Sequence, residues 1–182
     1  MTATPERMDG VDIYSMFDNN VGLDLRMREA LDQGLVAPFH YFGINEIDDI
    51  HYDKSTENDL NKLIKKLCIS KRVDYIIEKM NHYGFDGNKR KCLGFCADTN
   101  HARFMVEEFN VRGISSELIN AEIEPKQRQL LIDRLEDDKD PLEVIFTIDV
   151  LNEGIDIPSI NQVLLFRPTR SSMIFIQQLG RG

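Results

Sequence analysis

The sequence predicts an α/β fold in which a doubly wound, mostly parallel sheet carries helices on both faces. From residue 36 onward, short apolar runs alternate with segments of helical periodicity, which is typical of right-handed βαβ crossovers. The runs at residues 144–148 and 163–166 are apolar without alternation, as expected of strands covered on both faces. The chain has 182 residues, of which 42% are hydrophobic and 29% charged, so it is long enough for one domain with a core of its own.

The first third of the chain is predicted to be irregular, then helical. Residues 1–35 form a lead-in with two short helical patterns, at 13–17 and 23–31, the second of which Gly34 ends. Residues 36–42 are rich in β-formers but contain Pro38, which predicts an edge strand or a strand that starts after the proline. An acidic loop follows at 44–60. Apolar residues then recur at helical spacing from Leu60 to Met80, which predicts one long helix.

Three βα steps are predicted next. A strand at 92–96 leads to a helix at 102–109, and a strand at 117–120 leads to a helix at 125–135. Pro125 lies in the first turn of that helix, where proline is favoured. Strands at 144–148 and 163–166 complete the sheet, and a last amphipathic helix is expected from Ser172. Because the pattern stops at Gly182 without a tail, we expect the chain to be part of a longer protein.

Composition excludes several classes of protein. The formal net charge of −9 and the pI near 4.9 argue against a polycation that binds nucleic acid through bulk charge. No apolar run is long enough for a membrane span and no signal peptide opens the chain, so we expect no membrane partner and a cytoplasmic location. The cysteines (Cys68, Cys92 and Cys96) are too few for a disulfide framework, and no His or Cys pair completes a zinc set. We therefore expect no metal site.

Two segments offer candidate ligand contacts. In open parallel sheets, ligands bind beyond the carboxyl ends of the strands. Gly154 and Asp156 follow the strand at 144–148, where a carboxylate suits ribose hydroxyls; a solvated loop is the alternative interpretation. Arg181 lies between two glycines and is placed to reach an anion, unless it belongs to a frayed helix end.

Two other features admit structural interpretations. Residues 61–91 hold nine basic residues against three acidic ones, which indicates a solvated helix face or, alternatively, a track for DNA. His101 opens a predicted helix and is expected to be a cap or a core residue rather than a catalytic base.

Several motifs in a fixed order resemble the C-terminal RecA-like domain of superfamily-2 helicases and translocases. Residues 143–182 resemble motifs V and VI, with the forms Glu-Gly-Ile-Asp-Ile-Pro and Gln-x-x-Gly-Arg-Gly that are similar to those of restriction-enzyme and excision-repair translocases. Residues 92–102 resemble motif IV and residues 2–5 resemble motif III. The resemblance implies that residues 1–35 end the first RecA-like domain and form a helical connector. Residues 36–182 would then be the second domain, truncated within motif VI.

The resemblance also implies roles for individual residues. Nucleotide contacts would come from Gly154, Asp156, Gln177, Gln178 and Arg181, with Arg181 acting catalytically on the terminal phosphates. Contacts with the nucleic-acid backbone would come from Thr147, Phe95, Cys96 and Arg128. Thr2 and Thr4 would couple the ATP state to strand handling.

The implied cofactors are ATP and Mg²⁺ in the full-length protein. The implied partners are nucleic acid, with DNA favoured over RNA, and the missing N-terminal RecA-like domain. This chain has neither a Gly-x-x-x-x-Gly-Lys-Ser/Thr loop nor an Asp-Glu-x-His box. We therefore predict that it hydrolyses no ATP by itself and binds no nucleotide tightly. The alternative is a stand-alone, non-catalytic α/β module that binds a nucleotide or a protein.

Overall fold

The chain divides into two units, residues 1–45 and 46–182. The computed structural model describes residue 18 and residues 27–34, 38–45, 67–148 and 157–166. Within these residues, no helix is long and apolar enough to cross a membrane.

The described part of the first unit contains one short helix, α1, at Met27–Asp32. Gly34 follows it in the left-handed region at φ 68°, which agrees with the predicted helix end. Residues 38–45 contain no strand, so the edge strand predicted at 36–42 is wrong over its described part. Pro38 has no N–H to give a neighbouring strand, and the side chains of Phe39 and Tyr41 are exposed rather than packed against a second layer.

The second unit alternates helices and strands. In chain order the elements are α2 Ser70–Tyr83, β1 Cys92–Phe95, α3 Thr99–Val111, β2 Ser116–Ile119, α4 Pro125–Glu136, β3 Val144–Thr147 and β4 Gln162–Leu165. The predicted helix from Leu60 to Met80 is interrupted, because Cys68 and Ile69 are not helical and Ile69 is extended at φ −129° and ψ 121°. The helices predicted at 13–17 and from Ser172 lie outside the described residues.

The four strands form one parallel sheet in the order β2-β3-β1-β4. Phe95 of β1 is aligned with Thr147 of β3 on one side and with Leu165 of β4 on the other, while Ile119 of β2 is also aligned with Thr147. All four strands therefore end at one edge of the sheet, which we call the carboxyl edge. This topology confirms the predicted α/β class with a mostly parallel sheet.

Helices cover both faces of the sheet. On one face, Leu131, Ile132 and Leu135 of α4 pack with Leu93 and other inward residues of the strands. On the other face, residues of α2 and α3 pack with the alternate set, which includes Cys92, Cys96, Val144, Phe146 and Phe166. The strands β1 and β3 are buried at every position, as the unbroken apolar run at 144–148 predicts.

Candidate functional site

The carboxyl edge of the sheet is the candidate site, since a ligand of an open parallel sheet binds there. The loops that leave this edge follow β1 at Cys96, β2 at Asn120, β3 at Ile148 and β4 at Phe166. The side chain of Asn120 accepts a hydrogen bond from the amide of Glu122 at 3.2 Å, which turns the chain toward α4. The β1–α3 and β2–α4 loops, and with them the beginnings of α3 and α4, thus lie at this edge, on either side of the end of β3.

Backbone hydrogen bonds fix the start of the β1–α3 loop. The amide of Cys96 donates to the carbonyl of Thr147 at 2.8 Å, and the amide of Phe166 donates to the carbonyl of Phe95 at 3.0 Å. Asp98 caps α3, because its carboxylate accepts a hydrogen bond from the amide of His101 at 2.8 Å. The loop that the resemblance assigns to nucleic acid is therefore held at both of its ends.

The side chains of Phe95 and Cys96 belong to the core. Phe95 is 1% exposed and Cys96 is fully buried, and they point to opposite faces of the sheet. Burial raises the pKa of the Cys96 thiol, which stays protonated at neutral pH. Any contact between this segment and a polyanion therefore has to come from the backbone of the loop that follows. The two side chains anchor the start of that loop in the core.

Thr147 lies at the end of β3 on the face covered by α4. Its side chain is fully buried, and its hydroxyl has no hydrogen-bond partner among the described residues. Residues 149–156, which follow it in the chain, lie outside those residues. A buried hydroxyl without a partner is uncommon in native proteins, so the Thr147 hydroxyl at the carboxyl edge is a candidate for a further hydrogen bond.

Arg128 lies in the first turns of α4, at the same edge and on the same face as Thr147. Its guanidinium is partly buried and donates from Nη2 to the carbonyl of Ile123 at 3.4 Å. The Nε atom has no partner among the described residues. Arg128 and Thr147 thus lie at one edge and on one face of the sheet, Arg128 partly exposed and Thr147 buried; their contact with a nucleic-acid backbone stays a prediction.

The remaining predicted site residues cannot be placed in the same way. The predicted nucleotide contacts and the coupling threonines lie outside the described residues: Gly154, Asp156, Gln177, Gln178, Arg181, Thr2 and Thr4.

Basic residues at the end of the 61–91 stretch lie at the opposite edge of the sheet and serve structure. The ammonium of Lys89 donates to the carbonyls of Arg134, Leu135 and Asp137 at 3.3, 3.1 and 2.6 Å, so it caps the C-terminus of α4. Lys91 donates to the carbonyl of Glu136 at 2.8 Å and pairs with Asp138. These contacts give Lys89 and Lys91 a structural role, while Lys62, Lys65 and Lys66 of the same stretch lie outside the described residues.

His101 is a core residue, as the sequence predicts, and it also contributes to the cap of α3. It is fully buried, and its Nδ1 accepts a hydrogen bond from the amide of Ala97 at 3.3 Å. Burial, and then the positive charge of Arg72, lower the pKa of His101 to about 4. The imidazole is therefore neutral at physiological pH and, with so low a pKa, only a weak base there.

Two residues of this edge were missed at the level of sequence. Asp98 is the N-cap of α3, and its signal was the Asp that precedes a helical pattern by one position. Arg72 of α2 is buried, with its guanidinium 5.7 Å from the centre of the Phe166 ring. A buried arginine stacked on an aromatic ring leaves no signal in the spacing of charges, because it depends on the packing of α2 against the end of β4.

No group of three or more His, Cys, Asp or Glu side chains within the described ranges is arranged to hold a metal ion.

Known proteins that are similar to this chain include helicases and subunits of type I restriction enzymes. Residues 70–182 match the family described as the helicase conserved C-terminal domain. Over its full length, the chain is 25% identical to the putative ATP-dependent helicase IRC3 of Saccharomyces cerevisiae, of which it covers 26%. It is 26% identical over 118 residues to the type I restriction enzyme EcoKI endonuclease subunit of Escherichia coli; the match covers 59% of this chain and 10% of that protein.

The fold itself has a solved counterpart. The chain superposes on a fragment of a putative HsdR subunit of a type I restriction enzyme from Vibrio vulnificus with a TM-score of 0.76 and 24% identity. The superposition covers 100% of this chain and 35% of that one. This likeness confirms the predicted RecA-like fold. The chain thus spans only about a quarter of the yeast relative and about a third of the HsdR fragment.

Proposed function

The chain belongs to the helicase conserved C-terminal domain family, and from this premise we propose that it is the second motor domain of an ATP-dependent helicase or translocase. The observation that carries the proposal is the family match over residues 70–182, a segment that includes all four strands and every loop of the carboxyl edge. In this proposal the edge faces nucleic acid on one side and, across a cleft, the nucleotide held by a first RecA-like domain.

The carboxyl edge supplies contacts to the sugar–phosphate backbone. Arg128 offers a partly exposed guanidinium whose Nε has no partner among the described residues. The hydroxyl of Thr147 also has no partner there, but its side chain is fully buried, so of the two only Arg128 is accessible. The loop after Phe95 adds backbone contacts beyond Ala97, since the amides of Cys96 and Ala97 already donate to Thr147 and to His101. Contacts of this kind position a polymer without reading its sequence, which suits a motor that moves along the strand.

The nucleotide site is completed by residues that the motif resemblance assigns. Gly154 and Asp156 approach the nucleotide, with Asp156 near the ribose, and Gln177 and Gln178 connect that site to the nucleic acid. Arg181 reaches the terminal phosphates from across the cleft and stabilises the charge that develops on them in the transition state. Thr2 and Thr4 connect the nucleotide state to the movement of the strand.

We further propose that the track is DNA, that Mg²⁺ accompanies ATP, and that the protein works in the cytoplasm. The preference for DNA draws on two similar proteins whose names place them in type I restriction enzymes, one of them as an endonuclease subunit. Mg²⁺ follows from the chemistry, since phosphoryl transfer needs a cation to neutralise charge on the phosphates. The cytoplasmic location follows from the three free thiols among 182 residues.

The alternative function, a stand-alone α/β module, is separated from the motor by a matched pair of variants. Arg128→Gln removes one positive charge from the carboxyl edge, and Lys139→Gln removes one from the loop between α4 and β3, at the opposite edge. The probe is a fluorescein-labelled single-stranded oligothymidylate, and its affinity is measured by fluorescence anisotropy over a series of salt concentrations.

We expect weak, salt-sensitive binding by the parent chain. Arg128→Gln should lower affinity and reduce the slope of log K against log salt by about 1, whereas Lys139→Gln should change neither. Equal effects of the two variants, or binding that persists at high salt, would show that the binding surface is elsewhere. Absence of binding to any oligonucleotide, single- or double-stranded, would favour the stand-alone module.

A further inference from the structure

The loop between β1 and α3 is held by two reciprocal hydrogen bonds. The carboxylate of Asp98 accepts from the amide of His101 at 2.8 Å, and Nδ1 of His101 accepts from the amide of Ala97 at 3.3 Å. The first bond closes the N-terminus of α3, and the second returns to the residue before the cap. Together they fix the backbone of residues 96–98, the loop that the proposed function places against nucleic acid.

This arrangement is a variant of the capping box with imidazole in the place of a carboxylate. His101 is the third residue of α3, since the helix begins at Thr99 after the N-cap Asp98. In the usual capping box, Glu or Gln at this position accepts a hydrogen bond from a backbone amide at the N-cap. The neutral imidazole makes the same kind of bond, so the carboxylate of the N-cap Asp98 is the one negative charge that this pair of bonds brings to the loop.

Burial, a neighbouring positive charge and an aromatic ring surround the imidazole of His101. Within the described residues, the charged groups that act on it are Arg72 from α2, whose charge lowers the pKa of the imidazole, and Asp98 from the loop, which accepts from its amide. The Phe166 ring packs edge-on against the imidazole, with centroids 5.9 Å apart. Because Nδ1 accepts a hydrogen bond, the proton of the neutral ring lies on Nε2, which has no partner among the described residues.

We infer that His101 is a positioning residue for nucleic-acid binding. Its neutral imidazole holds the amide of Ala97 and thereby the loop of residues 96–98 in the conformation that receives the phosphate backbone. The inference rests on the proposed function, in which this loop contacts nucleic acid. It assigns to His101 an effect on affinity that is separate from its contribution to the core.

Two substitutions separate positioning from packing. His101→Asn keeps an acceptor in the place of Nδ1, because Oδ1 of Asn is attached at the equivalent carbon, but it leaves a cavity. His101→Leu fills the apolar surroundings but removes the acceptor. If the role is purely structural, the less stable of the two variants should bind nucleic acid more weakly. If His101 positions the loop, the variant without the acceptor, His101→Leu, should bind more weakly whatever its stability.

The experiment uses the full chain, the labelled oligothymidylate and urea unfolding. We expect His101→Leu to bind about fivefold more weakly, the equivalent of one ordinary hydrogen bond, and His101→Asn to bind as the parent does despite lower stability. Parental affinity in His101→Leu, or losses in both variants that parallel their stabilities, would overturn the inference.

A spectroscopic measurement on the parent chain keeps the test independent of whether the variants fold. Long-range ¹H–¹⁵N correlation should show Nδ1 unprotonated and Nε2 protonated at neutral pH, and the Ala97 amide should exchange slowly with solvent. A proton on Nδ1, or rapid exchange of the Ala97 amide, would refute the positioning role. If the parent binds no nucleic acid while these signals are as expected, the proposed function fails and the loop geometry stands.

Discussion

Replacing Gly94 by alanine tests how tightly the centre of the sheet is packed beneath the candidate site. Gly94 lies in β1, one residue before Phe95, and its backbone passes directly under the ring of Phe146. A Cβ added at Gly94 would lie 2.5 and 2.7 Å from two carbons of that ring and 3.4 Å from a carbon of Phe166. A Cβ atom essentially never lies within 3.0 Å of a non-bonded heavy atom, so the ring or the strand has to move.

The neighbours of Phe146 oppose that movement. Its ring packs edge-on against Phe109, with centroids 4.9 Å apart, and lies 6.2 Å from Phe166. Phe146 is fully buried in the central strand β3. Overpacking of this kind costs about 1–3 kcal/mol, and the entropy that alanine removes from the unfolded chain returns about 0.4–1 kcal/mol. We therefore expect Gly94→Ala to lower the free energy of unfolding by about 1–2 kcal/mol.

Urea unfolding followed by circular dichroism measures this loss, which corresponds to a midpoint lower by about 1 M. Gly43→Ala is the matched control, because a Cβ at Gly43 meets no atom within 4 Å and its φ is not in the left-handed region. In a Phe146→Leu background, Gly94→Ala should cost clearly less, since the two positions share one space. A change below about 0.5 kcal/mol in the parent background would refute the steric argument.

Three further predictions concern protonation, a hydrogen-bonded side-chain amide and catalysis. The pKa of His101 is lowered to about 4 from 6.5, so the unfolded chain binds more protons than the folded chain between these two pH values. The free energy of unfolding should therefore fall by about 2 kcal/mol from pH 7 to pH 5. Urea midpoints measure this fall, which should be smaller in His101→Asn than in the parent chain. Asn161→Ala should cost about 2 kcal/mol, because the amide accepts from the Lys91 amide and donates to two carbonyls; Gln129→Ala, on an exposed helix face, should stay within about 0.5 kcal/mol. In the full-length protein, Arg181→Ala should lower ATP turnover by about three to five powers of ten with a smaller effect on ATP affinity, and Arg181→Lys should not restore it; turnover near the parent rate would refute the assignment.

The elements of the second unit could be predicted because each had a local cause. The unbroken apolar run at 144–148 corresponds to β3, a strand buried on both faces. Pro125 marks the first turn of α4, and Gly84 marks the end of α2 with φ 69°. Where local preference was misleading, tertiary contacts were missing. The β-rich residues around Pro38 form no strand in their described part, because no strand of the described residues pairs with them.

The candidate site was predictable as an edge of the sheet but not as an arrangement of atoms. Motif order pointed to the loop after Phe95, to Thr147 and to Arg128, and parallel strands place these at one edge. The sequence could not show that Phe95 and Cys96 face opposite sides and are buried, since that depends on the pairing of β1 with both β3 and β4. Nor could it show that Lys89 is engaged with the carbonyls that end α4, 45 to 48 residues away in the chain.

The sequence by itself determined the fold class, the order of the elements and the family of the motifs, because periodicity, prolines, glycines and short motifs act over a few neighbouring residues. The tertiary structure decided the strand order β2-β3-β1-β4 and the division of basic residues between the two edges. It also decided the neutral state of His101, which follows from its burial beside Arg72 and Phe166. These properties depend on distances between residues far apart in the chain, and only the packed sheet and its helices fix those distances.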